Sequence, residues 1–335
     1  MSSARDEPRV AVVVIGRKEG PRLLRCLDSV WAMDYPKSSL DLIYVDSQST
    51  DDSVDQAKHR NARVSGVNPE RPCASTGRNA GWRATDAEFI LFLDSDTVLA
   101  PTFVRAALAA FDPGMAVVFG NRREMATGQS VYNRVLDLDW VWSLGELDYC
   151  GGDALMRRDA LVAVDGYGET LIAGEEPDMC GRMRDLDYRI LHIDAAMTGH
   201  DMDMHTFSQY WRRAMRTGHA YSEVSARFRD TPDQFWTAES NRNFLHAGLL
   251  ATTPLVGGVA ATVTGSVLPL LGGAAFWTAV VARSTKRAGW NQSDVGTRAL
   301  YAAHSHFQQI PIAVGQINER IRRRNGNRQG LIEYK

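Results

Sequence analysis

The chain opens with short apolar runs, which alternate with segments whose apolar residues recur at the spacing of an α-helix. Residues 10–15 form a β-branched run that ends at Gly16, and residues 21–33 place apolar side chains on one helical face. The same pair of patterns recurs, with an apolar run over residues 40–45 and a helix-like segment over residues 52–60. Alternating strands and helices predict an α/β fold with a mainly parallel sheet and right-handed crossovers.

A third apolar run, residues 89–93, ends in two carboxylates separated by one small residue, namely Asp94, Ser95 and Asp96. Open α/β sheets bind ligands at the carboxyl ends of their strands. Acids in this spacing suit Mg²⁺ or Mn²⁺, which take oxygen ligands and often share them with substrate phosphates. A solvated turn after the strand is the alternative. Because no Gly-x-Gly-x-x-Gly follows the first two strands, a dinucleotide-binding domain is disfavoured.

Composition adds an asymmetry of charge. The formal net charge is −2, but from Arg283 onward ten Lys/Arg face three Asp/Glu, a net of +7 that leaves −9 on the preceding residues. A basic end on an acidic body predicts contact with a membrane surface or another anionic partner. No nucleic-acid partner is expected. The four cysteines are widely spaced and the N-terminus lacks the apolar core of a signal peptide, so we expect a cytoplasmic setting.

A long uncharged run follows in the second half, because residues 243–282 contain no Asp, Glu, Lys or Arg. About 20 apolar residues cross ~30 Å of hydrocarbon, so the run predicts two short passes joined near Gly265. Basic residues on both flanks favour a hairpin whose ends lie at the cytoplasmic face. A buried helical pair in a soluble domain is the alternative. We therefore divide the chain into an α/β domain, residues 1–232, and a helical membrane hairpin with a basic tail, residues 233–335.

Four segments of the first half are informative together. They are Val13-Val14-Ile15-Gly16-Arg17-Lys18-Glu19, Tyr44-Val45-Asp46-Ser47-Gln48-Ser49-Thr50-Asp51, Gly77-Arg78-Asn79-Ala80-Gly81 and Leu93-Asp94-Ser95-Asp96. In this order and spacing they resemble the signature of the family 2 inverting glycosyltransferases with the GT-A fold, over residues 10–228. The resemblance implies a Rossmann-like, mostly parallel sheet flanked by helices, to which the apolar run adds a C-terminal helical membrane-associating region. It also implies a nucleotide-diphosphate sugar as donor, and a UDP-sugar is expected.

The resemblance also assigns donor-site residues. Those expected to bind the nucleotide sugar are Ile15, Arg17, Glu19, Asp46, Arg78, Asp94, Ser95, Arg212 and Arg213. Asp46 would recognise the base or the ribose, and Asp94 and Asp96 would hold the ribose and the metal-bound diphosphate. Asp96 is the expected ligand of a Mn²⁺ or Mg²⁺ ion, with His200 preferred to His205 as the residue that completes the metal shell.

Three of these residues are arginines with more than one interpretation. Arg78 could pair with a phosphate through two hydrogen bonds, or it could cap a helix at the surface. Arg212 and Arg213 follow Gln209 in a segment that partly resembles the Gln-x-x-Arg-Trp element of membrane-bound family 2 enzymes. They could stabilise the leaving diphosphate, or they could form a solvated basic face or contact lipid headgroups.

A second acidic cluster, Glu175, Glu176 and Asp178, lies at a predicted helix start. Attack of a sugar hydroxyl on an anomeric carbon by direct displacement needs one general base, and the departing diphosphate needs a metal or cations. The family's base is usually the second acid of a Glu-Asp pair, which corresponds to Glu176, with Asp178 as the fallback. The alternative is that the three carboxylates only offset the helix dipole.

The segment between the two acidic clusters supplies candidate acceptor-binding residues. Trp140 and Trp142 have nearby acids and suit stacking on a sugar, although burial within a packed helix is the alternative. Gly152 follows another glycine, which permits close approach of the backbone to a ligand. In the resembling family this place lines the acceptor pocket, so Gly152, Asp153 and Glu175 are also expected to contact the acceptor.

The sequence therefore predicts a membrane-associated, metal-dependent glycosyltransferase that transfers a single sugar with inversion. The acceptor would be a saccharide, a polyprenyl-linked one being favoured, at the cytoplasmic face of the inner membrane, and membrane lipids would be further partners. A catalytically silent membrane scaffold of a polysaccharide-assembly complex is the alternative function. A sugar nucleotidyltransferase is disfavoured because residues 15–18 match a Gly-rich phosphate loop poorly.

Overall fold

The structure is a computed structural model, and it describes residues 7–68, 73–291 and 293–326. The chain forms two compact units. The first is Met1–Met125 with Trp140–Met202, and the second is Ala126–Asp139 with Asp203–Lys335. These units divide the chain at other points than the predicted boundary after residue 232, which concerned domains of different function and stays a prediction.

The first unit is built on one sheet. Its described strands are β1 (Val10–Gly16), β2 (Leu40–Asp46), β3 (Arg63–Gly66), β4 (Phe89–Asp94), β5 (Thr97–Leu99), β6 (Met115–Glu124), β7 (Gly145–Leu147), β8 (Ala154–Arg157) and β9 (Arg189–His200). They pair in the order β3-β2-β1-β4-β8-β6-β9-β5, with β7 beside β9. The first four strands in that order are parallel, whereas β8 is antiparallel to both β4 and β6. The predicted α/β class is confirmed, and the second half of the sheet is mixed.

Helices flank this sheet and form most of the second unit. In chain order they are α1 (Pro21–Ala32), α2 (Ser53–His59), α3 (Ala74–Arg83), α4 (Phe103–Ala110), α5 (Val131–Asp137), α6 (Arg158–Ala163), α7 (Glu175–Arg184), α8 (Phe207–Arg227), α9 (Thr237–Thr264), α10 (Leu268–Arg287), α11 (Val295–Phe307) and α12 (Gln309–Arg324). Helix α5 and helices α8 to α12 belong to the second unit.

The register of β1 determines where the functional residues lie. Residues 10–14 have no solvent exposure, as expected for the central strand of a parallel sheet with both faces covered. Ile15 is opposite Asp94 of β4, and Gly16 is opposite Asp46 of β2. The carboxyl ends of three parallel strands therefore meet at one edge of the sheet, which we call the donor edge because the family resemblance predicts the sugar donor there.

The apolar pattern of the sequence predicts a strand over residues 188–193, and the observed strand β9 is longer, since it continues to His200. Its last residue is opposite Glu124 at the end of β6 and opposite Thr97 at the start of β5. Because Thr97 directly follows Asp96, this pairing brings His200 to the second acid of the Asp-x-Asp segment.

In the second unit, α8 and α12 pack with their backbones in direct contact. A Cβ atom at Gly218 of α8 would overlap the carbonyl oxygen of Ile312, and one at Gly315 of α12 would overlap the carbonyl oxygen of Met215. Glycine at both positions is therefore a requirement of the close approach of the two helices.

Helices α9 and α10 cover the uncharged run over residues 243–282, and the predicted membrane hairpin of two short passes stays a prediction. Helix α9 ends at Thr264, and Gly265 has a left-handed backbone with a φ angle of 62°. By length and composition alone, α9 is the one helix among the described residues that could cross a membrane. Of its most apolar window 11% is buried, and α10 has no buried residue, so the alternative of a buried helical pair is wrong.

Candidate functional site

Asp46 lies at the donor edge and is almost fully buried. One carboxylate oxygen accepts a hydrogen bond from the Tyr44 hydroxyl at 3.0 Å, and the other accepts one from the backbone N–H of Ser49 at 2.9 Å. These bonds fix the turn that follows β2. The remaining lone pairs of the carboxylate are available to a ligand hydroxyl or amide group.

The other residues assigned to the donor lie along the end of β1. The carbonyl of Ile15 accepts a hydrogen bond from the backbone N–H of Ser95 at 3.0 Å. A Cβ atom at Gly16 would overlap the Ser95 hydroxyl, so glycine allows this close approach. Glu19 pairs with Arg22 at 2.8 Å, and Arg17 is partly exposed. The structure thus brings Ile15 and Ser95 together, while donor contacts by Arg17 and Glu19 stay predictions.

Arg78 of α3 is buried among three carboxylates. Its Nη2 is 2.9 Å from Asp94 Oδ1, and its Nη1 is 2.8 Å from Glu176 Oε1 and 3.2 Å from Glu175 Oε1. The guanidinium carbon lies 5.4 Å from the centroid of the Tyr167 ring. Arg78 therefore links the donor edge to the start of α7, and the alternative of an arginine at the protein surface is wrong.

Glu176 has a carboxyl group of raised pKa. Burial is the main cause and nearby Glu175 the second, and together they raise the pKa of Glu176 to about 7 although Arg78 opposes them. Its side chain retains 14% exposure, so a ligand can reach it. A partly accessible carboxyl that titrates near neutral pH suits general base catalysis.

Asp178, the fallback base, has a different environment. Its Oδ2 accepts hydrogen bonds from Nε and Nη2 of Arg182, at 3.1 and 2.9 Å. The same guanidinium donates to the carbonyl of Gly166 at 2.8 Å. Asp178 is 2% exposed and contributes to the packing of α7. Of the two candidate bases, Glu176 has the more suitable surroundings.

Gly152 contacts the same cluster through its backbone. A Cβ atom there would lie 2.6 Å from Arg78 Nη2, 3.0 Å from Asp94 Oδ2 and 3.4 Å from Glu176 Oε1. Any larger residue would push against the cluster. The predicted contact of Gly152 with an acceptor stays a prediction.

Asp153 is fully buried behind the end of β4. Its carboxylate accepts hydrogen bonds from the backbone N–H of Asp94 at 2.9 Å and from the Thr198 hydroxyl at 2.7 Å. Arg122 Nη1 lies 3.3 Å away and opposes the effect of burial, which raises the pKa of Asp153. Asp153 therefore holds strand ends together, and its predicted contact with an acceptor hydroxyl stays a prediction.

His200 lies between two carboxylates. Its Nε2 is 3.4 Å from Asp96 Oδ2, and its Nδ1 is 3.4 Å from Glu124 Oε2. Burial, assisted by the charge of Arg122, lowers the pKa of His200 to about 4, so the imidazole is neutral at neutral pH. A neutral imidazole has one N–H, which it can donate to only one of the two carboxylates.

This arrangement fits a divalent cation. If His200 donates its Nδ1 proton to Glu124, the Nε2 lone pair faces an oxygen of Asp96, and a cation would offset their repulsion. Imidazole and carboxylate are both ligands of Mn²⁺. Within the described part of the chain there is no group of three or more His, Cys, Asp or Glu side chains that could hold a metal ion. Substrate phosphates and water would therefore complete the coordination.

The two tryptophans have different neighbours. The Trp140 ring lies 4.8 Å from the guanidinium carbon of Arg122 and meets the His200 ring edge-on at 4.7 Å. Trp142 packs edge-on against Phe119 of the core. Trp140 is thus beside the candidate metal ligands, whereas Trp142 contributes to packing. Stacking of either ring on a sugar stays a prediction.

Arg212 and Arg213 belong to α8 of the second unit. Arg212 is exposed, and Arg213 Nη1 is 3.8 Å from Asp139 Oδ2. Asp139 also meets Nε2 of His304 at 3.3 Å, and Nδ1 of that histidine is 2.9 Å from the Tyr210 hydroxyl. The predicted contact of both arginines with a leaving diphosphate stays a prediction.

Sequence reasoning missed Arg122 and Glu124, which both lie near the candidate metal ligands. The sequence predicts a strand over residues 115–120, and the structure extends it as β6 through Asn121-Arg122-Arg123-Glu124. Charged residues that directly follow an apolar strand are the signal that identified Asp94. The same signal was present here.

Comparison with known proteins identifies a family for part of the chain. Residues 11–164 match the family model Glycosyl transferase family 2. The pre-mycofactocin glycosyltransferase of Mycobacterium tuberculosis is 27% identical over 145 residues, which are 40% of this chain and 31% of that protein. The probable glycosyltransferase YdaM of Bacillus subtilis is 22% identical over 242 residues, which are 66% of this chain and 57% of that protein. The chain thus matches about a third of the first relative's length and just over half of the second's.

A solved structure shares the fold. The mannosyltransferase PcManGT of Pyrobaculum calidifontis, in complex with GDP-Man and Mn²⁺, superposes with a TM-score of 0.65 at 20% identity. The match covers 93% of this chain and 87% of that one. The family match and the shared fold confirm the resemblance that the sequence motifs indicate: this chain contains a glycosyltransferase family 2 domain with the GT-A fold.

Proposed function

We propose that this chain transfers a single sugar from a nucleotide-diphosphate sugar to an acceptor hydroxyl, with inversion at the anomeric carbon. The main observation in support is that Arg78 joins Glu176, a carboxyl of raised pKa, to Asp94 at the donor edge. The family match and the names of the curated relatives, which are glycosyltransferases, support the same reaction class.

In the proposed reaction, Glu176 accepts the proton of the acceptor hydroxyl. The hydroxyl oxygen then attacks the anomeric carbon on the face opposite the diphosphate. A new glycosidic bond forms as the bond to the diphosphate oxygen breaks, and the configuration inverts. A carboxylate with a pKa near 7 is a stronger base than an ordinary Glu and is still ionised above that pH.

The donor would bind along the donor edge, with Asp46 and Asp94 on the nucleoside. Asp96 and His200 would hold a Mn²⁺ or Mg²⁺ ion, whose chemistry is to neutralise charge on the departing diphosphate. The PcManGT structure, which contains GDP-Man and Mn²⁺, supports a metal-bound nucleotide sugar in this fold. A UDP-sugar remains our proposed donor, and a GDP-sugar is the first alternative.

The acceptor would be a saccharide linked to a polyprenyl carrier, at the cytoplasmic face of the inner membrane. Helix α9 supports this proposal because Leu255, Val259 and Val263 are 65–80% exposed on it. Helix α12 ends in the exposed residues Arg322, Arg323 and Arg324, which suit an anionic membrane surface. Our functional division into a catalytic part, residues 1–232, and a membrane hairpin with a basic tail, residues 233–335, rests on the same features.

Calorimetric titration of UDP, GDP and dTDP into the detergent-solubilised protein, with Mn²⁺ or with EDTA, tests the donor site. We expect one nucleotide to bind only with the metal, and Asp96→Ala to abolish this binding. Asp55→Ala, which removes an exposed acid on α2, is the matched control and should bind normally. Metal-dependent affinity in Asp96→Ala would contradict the metal assignment. Absence of binding by any nucleotide to folded protein would favour the scaffold alternative.

A further inference from the structure

Both terminal nitrogens of the Arg78 guanidinium pair with carboxylates, whereas its buried Nε has no hydrogen-bond partner among the described residues. Nη2 pairs with Asp94, and Nη1 pairs with both Glu175 and Glu176. The side chain is 3% exposed, and Tyr167 covers one face of the guanidinium. A phosphate could pair with both terminal nitrogens only by competing with these carboxylates.

The charges of the cluster give Arg78 a different role. Three carboxylates lie around one guanidinium, so the cluster has an excess of negative charge if all three are ionised. Burial and the charge of Glu175 raise the pKa of Glu176, and Arg78 opposes them. Cys150 and Tyr167 also face the cluster, and burial helps to raise the pKa of each well above its ordinary value, so they stay uncharged and add no negative charge.

We infer that Arg78 is a positioning residue, which holds the Glu176 carboxylate in place and in its ionised form, instead of binding a donor phosphate. This inference rests on the proposed function, in which Glu176 is the base. It adds that Arg78 acts on the chemical step through Glu176, and that the pair with Asp94 fixes the base relative to the donor edge.

The first test compares Arg78→Met with wild type at saturating donor. Arg78→Met removes a positive charge in direct contact with Glu176. The acid limb of the kcat–pH profile should therefore move to higher pH, by about 1 to 3 pH units. Arg78→Lys, which keeps the charge but lacks the planar guanidinium with its two terminal nitrogens, should shift the acid limb to higher pH by a smaller amount. The matched control is Arg83→Met on the same helix, because Arg83 is 42% exposed and pairs with Asp165 and Glu169. It should leave the profile unchanged.

Removal of the neighbouring acid tests the same charge balance in the opposite direction. Glu175→Gln preserves Arg78 and the shape of the site, and it removes a charge that raises the pKa of Glu176. The acid limb of the kcat–pH profile should therefore move to lower pH. If Arg78→Met does not fold, which its melting curve will show, this variant and Arg78→Lys still decide the inference.

Donor affinity separates the two roles of Arg78. Loss of a phosphate contact should raise the Kd for the nucleotide by about tenfold or more. The inference would be overturned if Arg78→Met raised this Kd while the acid limb of the kcat–pH profile stayed at the wild-type pH in both Arg78→Met and Glu175→Gln.

A second readout does not need turnover. Infrared difference titration, with the carboxyl band assigned through Glu176→Gln, should show Glu176 titrating at higher pH in Arg78→Met and at lower pH in Glu175→Gln. If wild type transfers no sugar, the proposed function fails, and the infrared titration still decides whether Arg78 keeps Glu176 ionised. An unchanged Glu176 titration in both variants would overturn the inference independently of activity.

Discussion

At the residue scale, Glu176 has a pKa set by opposing neighbours. Burial and Glu175 raise the pKa to about 7, and Arg78 acts in the opposite direction. A carboxyl is protonated below its pKa, and a protonated carboxyl cannot accept a proton from a hydroxyl. Raising the pH through about 7 should therefore convert Glu176, the proposed base, from its inactive to its active form.

We accordingly expect kcat to fall about tenfold for each pH unit below the pKa and to reach a plateau above it. The measurement is initial rate against pH at saturating donor and acceptor, with a melting curve at each pH to exclude unfolding. A flat profile between about pH 5 and 8 would assign the base to a carboxyl with an ordinary pKa.

Two adjacent glycines offer a matched pair of substitutions. A Cβ atom at Gly152 would press on Arg78 and Asp94, whereas one at Gly151 would have no heavy atom within 4 Å. Gly152→Ala should reduce kcat/KM by about 10- to 100-fold, since a displacement of about 1 Å at a catalytic cluster has effects of that order. Gly151→Ala should behave as wild type in the same assay. Equal activity of the two variants would contradict the geometry around Gly152.

Sequence patterns identified Asp46 and Asp94 because each ends an apolar strand. The partners of Arg78 could not be derived in this way, since Glu175 lies 97 residues further along the chain. Only the pairing of strands and the placement of α3 and α7 determine that contact. The surroundings of His200 were similarly hidden, because its neighbour Glu124 is 76 residues away.

At the element scale, the apolar runs predicted the first strands well, because their β-branched residues fill a central parallel sheet. The end of β9 was missed because residues 193–197 mix exposed and buried positions, and their pairing with β6 includes shifts of register. Such irregular pairing leaves no clear alternation in the sequence.

The packing of α8 on α12 gives an element-scale prediction. Gly218→Ala should destabilise the second unit by about 1–3 kcal/mol, since the new methyl group has to displace the backbone of α12. Gly248→Ala in α9 is the matched control, because a Cβ atom there has no neighbour within 4 Å. Denaturant titration of the solubilised protein measures both. A Gly218→Ala variant as stable as the control would show that the helices are not in direct backbone contact.

At the scale of the whole molecule, an apolar hairpin and a basic helix both favour a membrane. They can be distinguished because salt screens the attraction of basic residues to lipid and leaves buried apolar contacts intact. We expect the protein to stay on anionic vesicles during flotation in about 1 M salt. Replacing Leu255, Val259 and Val263 by Asn should make the binding salt-sensitive. Release of wild type by salt would contradict insertion of the hairpin.

The most direct test of the central claim is an NMR assay of sugar transfer by the membrane-reconstituted protein. Wild type and Glu176→Gln are incubated with Mn²⁺, UDP- or GDP-sugars and polyprenyl-linked acceptors, while nucleotide release and product configuration are followed. We predict release of a nucleoside diphosphate and a product of inverted configuration in wild type. Glu176→Gln should bind the donor normally and lose transfer by about 10²- to 10⁴-fold. Full activity of Glu176→Gln, or a product of retained configuration, would contradict the account.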